Sequence, residues 1–258
     1  MGNKMRQYPF VEEEFETVRT IIREKASISR FGDGELRCAV GGGCSSQHGD
    51  PKLAEKLKVI LKNDTKGLLV GIPRSVDRYD WVLYNKKKAH SWVKYRMKRF
   101  GDLLTPKSKY YSSFITRTDN ALHIGCKQYW DLCKGMWDQR DVIIVQGNEK
   151  KITDTKGLFD NVKTLNIVFG PAHHAFDKYE EIKTEIKKHY QKDVLFILAM
   201  GVCATVLAYD IHLDGYQALD LGHFGAFYNN SFPEKRDLTM IEKEAIGNEA
   251  IFINDVYH

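Results

Sequence analysis

Asp141-Val-Ile-Ile-Val145 is an unbroken apolar run behind a single acid, and its reading decides the fold. A strand with one wet face alternates apolar and polar residues, whereas an unbroken run is expected of a parallel strand covered on both faces. Working toward the C-terminus, Asn166 to Phe169 reads as a second short strand and Ala175 to Tyr190 as a charged amphipathic helix. Val194 to Ala199 is a third apolar strand. Thr205 to Leu213 reads as a helix stopped at Asp214-Gly215, and Gln217 to Leu221 as a last strand. From residue 141 onward the order strand, loop, strand, helix, strand, helix, strand predicts an α/β fold. Its sheet is mainly parallel and flanked by helices.

Toward the N-terminus, residues 11 to 25 place Val11, Phe15, Val18, Ile21 and Ile22 on one helical face. A strand covers about 27 to 31. Asp50-Pro51 reads as an N-cap followed by proline at the first helical position, opening a helix to about 63. Gly67 to Ile72 is a strand closed by Pro73, Tyr110 to Thr116 is strand-like, and 126 to 138 is helical. Between them, residues 80 to 100 form a basic, aromatic helix whose seam is Val82, Ala89, Val93, Met97 and Phe100. The expectation is one domain over residues 1–258, with the 80–100 segment attached.

The 258 residues are 43% hydrophobic, enough for a sizeable core, and no apolar run approaches the roughly 20 residues of a membrane span. The N-terminal stretch lacks the apolar core of a signal peptide. Five cysteines without a C-x-x-C pair suit a reduced, cytoplasmic protein, with a membrane-peripheral site as the variant. The net charge of +5 fits an anionic small ligand, a phosphate-bearing acceptor or an anionic membrane surface, and is too small to argue for nucleic acid.

In a parallel sheet of this kind ligands bind at the carboxyl ends of the strands. After the first strand, Ser27-Ile-Ser-Arg-Phe-Gly-Asp-Gly-Glu35 puts two carboxylates, Asp33 and Glu35, beyond its end. On extended backbone these alternate residues would aim the same way, with Gly32 and Gly34 leaving room for a ligand. Two hard oxygen donors there suit Mg²⁺ or Mn²⁺, although an isolated D-x-E is most often a solvated turn. Other strand ends add Arg74, Arg117, Gln146-Gly147, Lys150-Lys151, Gly170 to His174, Gly201, Gly222 and His223. Carboxylates, cations and glycines on one rim are the chemistry of a metal and cations around phosphate. His173-His174 reads as the loop opening the next helix rather than as paired ligands. Neither a P-loop nor a G-x-G-x-x-G occurs.

These residues carry a resemblance. Ser29-Arg-Phe-Gly-Asp-Gly-Glu35 resembles the R-F-G-D-G-E signature of the GT-D-type glycosyltransferases, a group first catalogued as a bacterial domain of unknown function and linked to glycans on serine-rich-repeat adhesins. Gln47 with Asp50, Gly71-Ile-Pro73, Phe114-Ile-Thr-Arg117, Arg140 to Gly147 with Leu158 to Asn161, Ala204 to Asp210 and Ala218 to His223 resemble further motifs in the same order. The chain departs from the family pattern at Gln146, where Glu is usual, and at Lys150-Lys151, Gly201-Val202-Cys203, Gly225 and Phe227. These departures bear on the sugar and the acceptor more than on the metal and diphosphate.

The resemblance implies a Rossmann-like α/β fold of the GT-D type and a metal-dependent glycosyltransferase that takes a nucleoside-diphosphate sugar, with UDP favoured, and a glycan or glycoprotein acceptor. Asp33 and Glu35 would hold Mn²⁺ or Mg²⁺, and Arg30, Arg117 and Lys151 would meet phosphate. Gly32, Gly34 and Gly147 would line the donor. Asp220 and His223 would touch the sugar or acceptor, either one serving as general base. The alternative is a metal-dependent phosphoesterase using the same rim with water as acceptor. A third reading is a non-catalytic nucleic-acid binder acting through the 86–99 helix.

Overall fold

The computed structural model describes residues 8–74, 99–105, 109–117, 125–147, 157–232 and, for the backbone alone, 250–252. Its elements in chain order are α1 (Glu14–Glu24), β1 (Ser27–Arg30), α2 (Asp33–Ala39), α3 (Pro51–Leu61), β2 (Leu68–Ile72), β3 (Tyr111–Ser112), α4 (Cys126–Lys134), β4 (Asp141–Gly147) and β5 (Thr164–Gly170). A 3₁₀ turn (Ala175–Lys178) then leads into α5 (Tyr179–Lys187), followed by β6 (Leu195–Ala199), α6 (Val202–Leu213), β7 (Gln217–Asp220), α7 (Phe224–Ser231) and β8 (Ala250–Phe252). The strands form one sheet in the order β3-β2-β1-β7-β6-β4-β5-β8, and every pairing is parallel.

The unbroken apolar run of β4 is explained by two covers. Ile143 and Val145 share one core with Leu57 and Ile60 of α3, Ile182 and Ile186 of α5, and Val206 and Leu207 of α6. Val142 and Ile144 point the other way, into a core with Val18 and Ile21 of α1, Tyr129 and Trp130 of α4, and Trp137. Parallel strands carry no solvated face here, so their sequence has no polar alternation.

The Asp50 cap is as expected, its side chain accepting from Leu53 N–H at 2.8 Å. Other boundaries shift for tertiary reasons. Val11 lies outside α1 and bridges Tyr110 instead. The strand expected over 110–116 shortens to Tyr111–Ser112 and then turns. α6 starts three residues early, at Val202, and is buried nearly all round, so it shows no amphipathic stripe. α7 was not expected from Phe-Gly-Ala-Phe-Tyr-Asn-Asn-Ser, a run of weak helix formers. Burial of Phe224 and Tyr228 one turn apart forms it, with Trp130 donating its indole N–H to Ser231 Oγ at 2.9 Å. The basic helix expected over 80–100 lies outside the described residues except for Arg99 and Phe100, and Phe100 is buried.

The connection after β4 leads outward to β5, whereas that after β6 leads the opposite way to β7. Two adjacent strands whose connections diverge leave a crevice at their carboxyl ends.

Candidate active site

The stretch after β1 departs from the expected geometry. Asp33 is the first residue of α2 and Glu35 the third, so the pair is not set on extended backbone. Two residues along a helix turn the side chain by about 200°, and the alternate-residue alignment is replaced by a helical first turn. Gly32 is the extended N-cap, and Glu35 curls back so that its Oε2 accepts from Gly32 N–H at 2.7 Å. Two acids in a first turn also complement the helix dipole. Burial pushes the Glu35 carboxyl above its ordinary value, and the nearby Asp220 carboxylate adds to the rise.

Arg30, expected on the phosphate, turns inward. Its Nε donates to Asp220 O, its Nη1 donates to Ser113 O at 2.8 Å and Thr116 Oγ1 at 3.1 Å, and its Nη2 lies 3.8 Å from Asp220 Oδ1. Asp220 Oδ2 accepts from Arg30 N–H at 3.1 Å and lies 3.1 Å from Thr205 Oγ1. Burial raises the Asp220 carboxyl while the Arg30 guanidinium opposes it, and burial likewise lowers Arg30 against the pull of Asp220. With side chains only 12% and 6% exposed, the pair ties β1 to β7 from inside the fold. Asp220, expected against the sugar or acceptor, therefore belongs to this anchor.

Beside the anchor, a cleft of about 430 Å³ opens at the divergence of β4 and β6. Gln146 and Gly147 of β4, Gly201 before α6, and Gly222 and His223 after β7 line it, with Ser45 and Ser46 on its other wall. Gly147 must be small, because a Cβ there would stand 3.0 Å from Ala172 Cα. Gly222 has φ +56°, and a Cβ on it would stand 2.7 Å from Arg30 Nη2. Gly222 thus joins cleft and anchor. Gly34 joins the α2 start to the same wall, since a Cβ there would lie 3.5 Å from Cys44, whose Sγ is 3.3 Å from Ser46 Oγ.

Of the expected rim, the structure gathers Gly147, Gln146, His173, Gly201, Gly222 and His223 around the cleft; Arg30 and Asp220 adjoin it behind Gly222, and Asp33 and Glu35 do not line it but flank Gly34, which packs toward its Ser46 wall. Arg117 is not in the cleft lining, but it follows Thr116, whose Oγ1 accepts from Arg30 Nη1, and its guanidinium lies 5.0 Å from the Phe114 ring centroid. Lys150 and Lys151 lie outside the described residues. His174, as expected, sits just before the 3₁₀ turn, with φ +54°. Its Nδ1 faces His48 Nδ1 at 2.9 Å, and His48 Nε2 lies 3.2 Å from Asp177 Oδ1. Residue spacing gave no sign of Ser45 and Ser46. Their only local mark is the Gly41-Gly42-Gly43 run before them, folded so that a Cβ on Gly43 would meet Gln47 O at 3.1 Å.

Among the described residues no group of three or more His, Cys, Asp and Glu side chains is placed to hold a metal alone. Asp33 and Glu35 suit the other kind of site, in which one or two carboxylates share Mg²⁺ or Mn²⁺ with phosphate and water. Both are hard oxygen donors within the first turn of one helix, so the donor set fits.

The sequence profile of the glycosyltransferase GT-D fold matches residues 28–242. The chain is similar to a probable glycosyl transferase Gly of Streptococcus gordonii, 28% identical over 81% of this chain and 31% of that protein. It is also similar to a glycosyltransferase GlyD of Streptococcus pneumoniae, 30% identical over 83% of this chain and 26% of that protein. The chain therefore spans about a third or less of these relatives' length. A solved domain of unknown function, described as having a distinct glycosyltransferase fold, superposes with TM-score 0.75 and 28% identity over 86% of this chain and 80% of that one. A structure described as a new glycosyltransferase from Streptococcus sanguinis shares the fold at TM-score 0.76 and 23% identity, covering 96% of each chain. With the profile running from the strand before Asp33 past the anchor, the cleft and α7, the chain belongs to the glycosyltransferase GT-D fold family.

Proposed function

We propose that this protein is a divalent-metal-dependent glycosyltransferase that moves a sugar from a nucleoside-diphosphate sugar, with UDP as the nucleotide, to a glycan or glycoprotein acceptor. The observation that supports this best is the glycine-lined cleft at the divergence of β4 and β6, whose Ser46 wall is reached through Cys44 from Gly34, between Asp33 and Glu35 at the start of α2. Cleaving the anomeric bond leaves negative charge on the departing diphosphate, and catalysis depends on interactions that strengthen as that charge develops. Mg²⁺ or Mn²⁺, held by Asp33 and Glu35, would supply Lewis-acid neutralisation of that charge. Gly147, Gly201 and Gly222 let a ligand approach the backbone closely. The Arg30–Asp220 pair acts as a positioning element, holding the loop that carries Asp33 against the wall that carries Gly222. His223, exposed at the cleft, is the candidate general base for the acceptor hydroxyl. The 80–100 segment, with its lysines and aromatics, would serve the acceptor or an anionic membrane surface.

The test is a thermal-shift screen of nucleotide sugars with and without Mn²⁺, followed by transfer assays. A bound donor raises the melting temperature by mass action. Asp33→Asn is expected to abolish metal-enhanced binding and to cost about 10²-fold or more in rate. Full transfer in EDTA refutes the metal role. Release of sugar or phosphate at full rate without acceptor identifies a phosphoesterase instead.

A further inference from the structure

One polar group in the cleft has an unmet hydrogen bond. Gln146 is 7% exposed and lines the cleft, and its Nε2 has no hydrogen-bond partner among the described residues. Asn63, Ser113, Asn161, His189 and Asn229 also carry unpartnered buried atoms, but none of them lines the cleft. A buried amide donor without a partner is costly, and native folds hold few of them. Nor is Gln146 free to swing its backbone elsewhere. It pairs with Phe169 of β5 on one side and Ala199 of β6 on the other, in the middle of the sheet. Its side chain shares a strand face with Ile144, and Ala199 and Phe224 add apolar wall around it. A rigid, desolvated donor among apolar neighbours is the arrangement that discriminates by hydrogen bonding, because a ligand without the matching acceptor leaves the donor unpaired.

We propose that Gln146 determines donor specificity by donating from Nε2 to an acceptor oxygen, a hydroxyl or an acetamido carbonyl, on the transferred sugar. The proposal rests on the reading that the cleft takes a nucleotide sugar. It adds which part of the ligand Gln146 recognises and in which hydrogen-bonding sense. A sugar deoxygenated at the matching carbon is selected against, and the nucleotide itself is read elsewhere.

The experiment compares wild type, Gln146→Met and Gln146→Glu by calorimetric titration with UDP, UDP-glucose, UDP-galactose and UDP-N-acetylglucosamine, with Mn²⁺ present. Gln146→Met keeps the shape and removes the donor. It is expected to lower the affinity for the preferred UDP-sugar about tenfold or more while UDP stays within about twofold. Without ligand, this variant is expected to melt about 2 °C or more above wild type, since the unpaired group is gone. A purely structural glutamine would do the reverse. Gln146→Glu keeps an acceptor, loses the donor, and is expected to lose the sugar increment as well. Four results each overturn the proposal: a lower melting temperature for ligand-free Gln146→Met, unchanged sugar affinity in that variant, wild-type sugar affinity in Gln146→Glu, or UDP affinity falling in step with the UDP-sugar. If wild type binds neither UDP nor any UDP-sugar, the glycosyltransferase reading itself fails and takes the proposal with it. That result is distinct from all four, because it is read on wild type alone.

Discussion

Replacing Asp220 by Asn tests whether the Arg30–Asp220 pair anchors the fold or belongs to the reaction. In the native fold the Asp220 carboxylate is the countercharge of a guanidinium whose side chain is 12% exposed. Asn keeps one acceptor for Arg30 N–H or Thr205 Oγ1, the groups now at 3.1 Å from Oδ2, but removes the negative charge. Deleting one member of a buried ion pair costs about 3–5 kcal/mol, because the partner is left uncompensated. Arg30 keeps its bonds to Ser113 O, Thr116 Oγ1 and the Asp220 carbonyl, which places the expected loss at the low end, about 3 kcal/mol. For a chain of this size that corresponds to a fall in melting temperature of roughly 6–12 °C. Urea denaturation is the assay, run as a double-mutant cycle with Arg30→Met. The double variant should be less destabilised than the two single losses added together, since it removes both charges. A single-variant loss below about 1 kcal/mol, or strict additivity in the cycle, refutes the anchor. A stable Asp220→Asn that nevertheless loses turnover would return Asp220 to the chemistry.

Glu35→Gln is expected to gain stability at neutral and alkaline pH. The folded state holds the Glu35 proton more tightly than the unfolded chain does, so ionisation costs stability as pH rises through the folded value. The advantage of Gln should vanish below the unfolded value of about 4.3, and a pH-independent difference between denaturation curves at pH 4 and pH 8 refutes the sign. Gly222→Ala combines a left-handed φ with a Cβ 2.7 Å from Arg30 Nη2, whereas Gly215→Ala, at φ +91° with nothing within 4 Å, carries the backbone cost alone. The first should lose about 1–3 kcal/mol more than the second in urea midpoints, and equal losses would mean that the guanidinium simply moves aside. Arg117→Ala should weaken nucleoside-diphosphate binding by about 1.5–3 kcal/mol and leave nucleoside binding unchanged, which paired titrations with UDP and uridine will read.

Much of the sheet is legible because its signal is local. The run at 141–145 and those at 166–169 and 194–199 could be read as strands without knowing their partners, and Asp50-Pro51 announces its own helix. The start of α2 was not legible. Asp-Gly-Glu-Leu-Arg-Cys-Ala includes a glycine and spans only seven residues, and the helix exists because Leu36, Cys38 and Ala39 are buried. The same holds for α7, formed by packing against propensity. The candidate site divides along the same line. Strand ends pointed to Gly147, Gly222 and His223 in the cleft, since a strand's end marks the rim whatever its neighbours are. That Arg30 turns inward could not be read, because the group that turns it, Asp220, lies 190 residues away and reaches it only through the order of strands.

That order also explains why the anchor sits where it does. β4 is paired with β5 along its whole length, from Asp141↔Thr164 to Gly147↔Gly170, whereas β1 and β7 share the single register pair Ile28↔Leu219. The seam between the two halves of the sheet is therefore poor in ladder hydrogen bonds, and side chains take their place. Ser27 Oγ accepts from Ala218 N–H at 3.0 Å and Gln217 Nε2 donates to Ala26 O at 3.0 Å, while Ser29 Oγ ties β1 to α6, packed over the seam, by donating to Thr205 O at 2.9 Å. The Arg30–Asp220 pair closes the carboxyl end of this seam. Asp33 and Glu35 leave from the β1 side, while Gly222 and His223 leave from the β7 side. The spacing between the carboxylates and the cleft is thus set by a row of buried polar side chains rather than by the backbone ladder. A weakened seam should therefore show in ligand binding before the cores on either face of the sheet give way, because those cores also draw on α1, α3, α4 and α5, none of which supplies a side chain to the seam bonds.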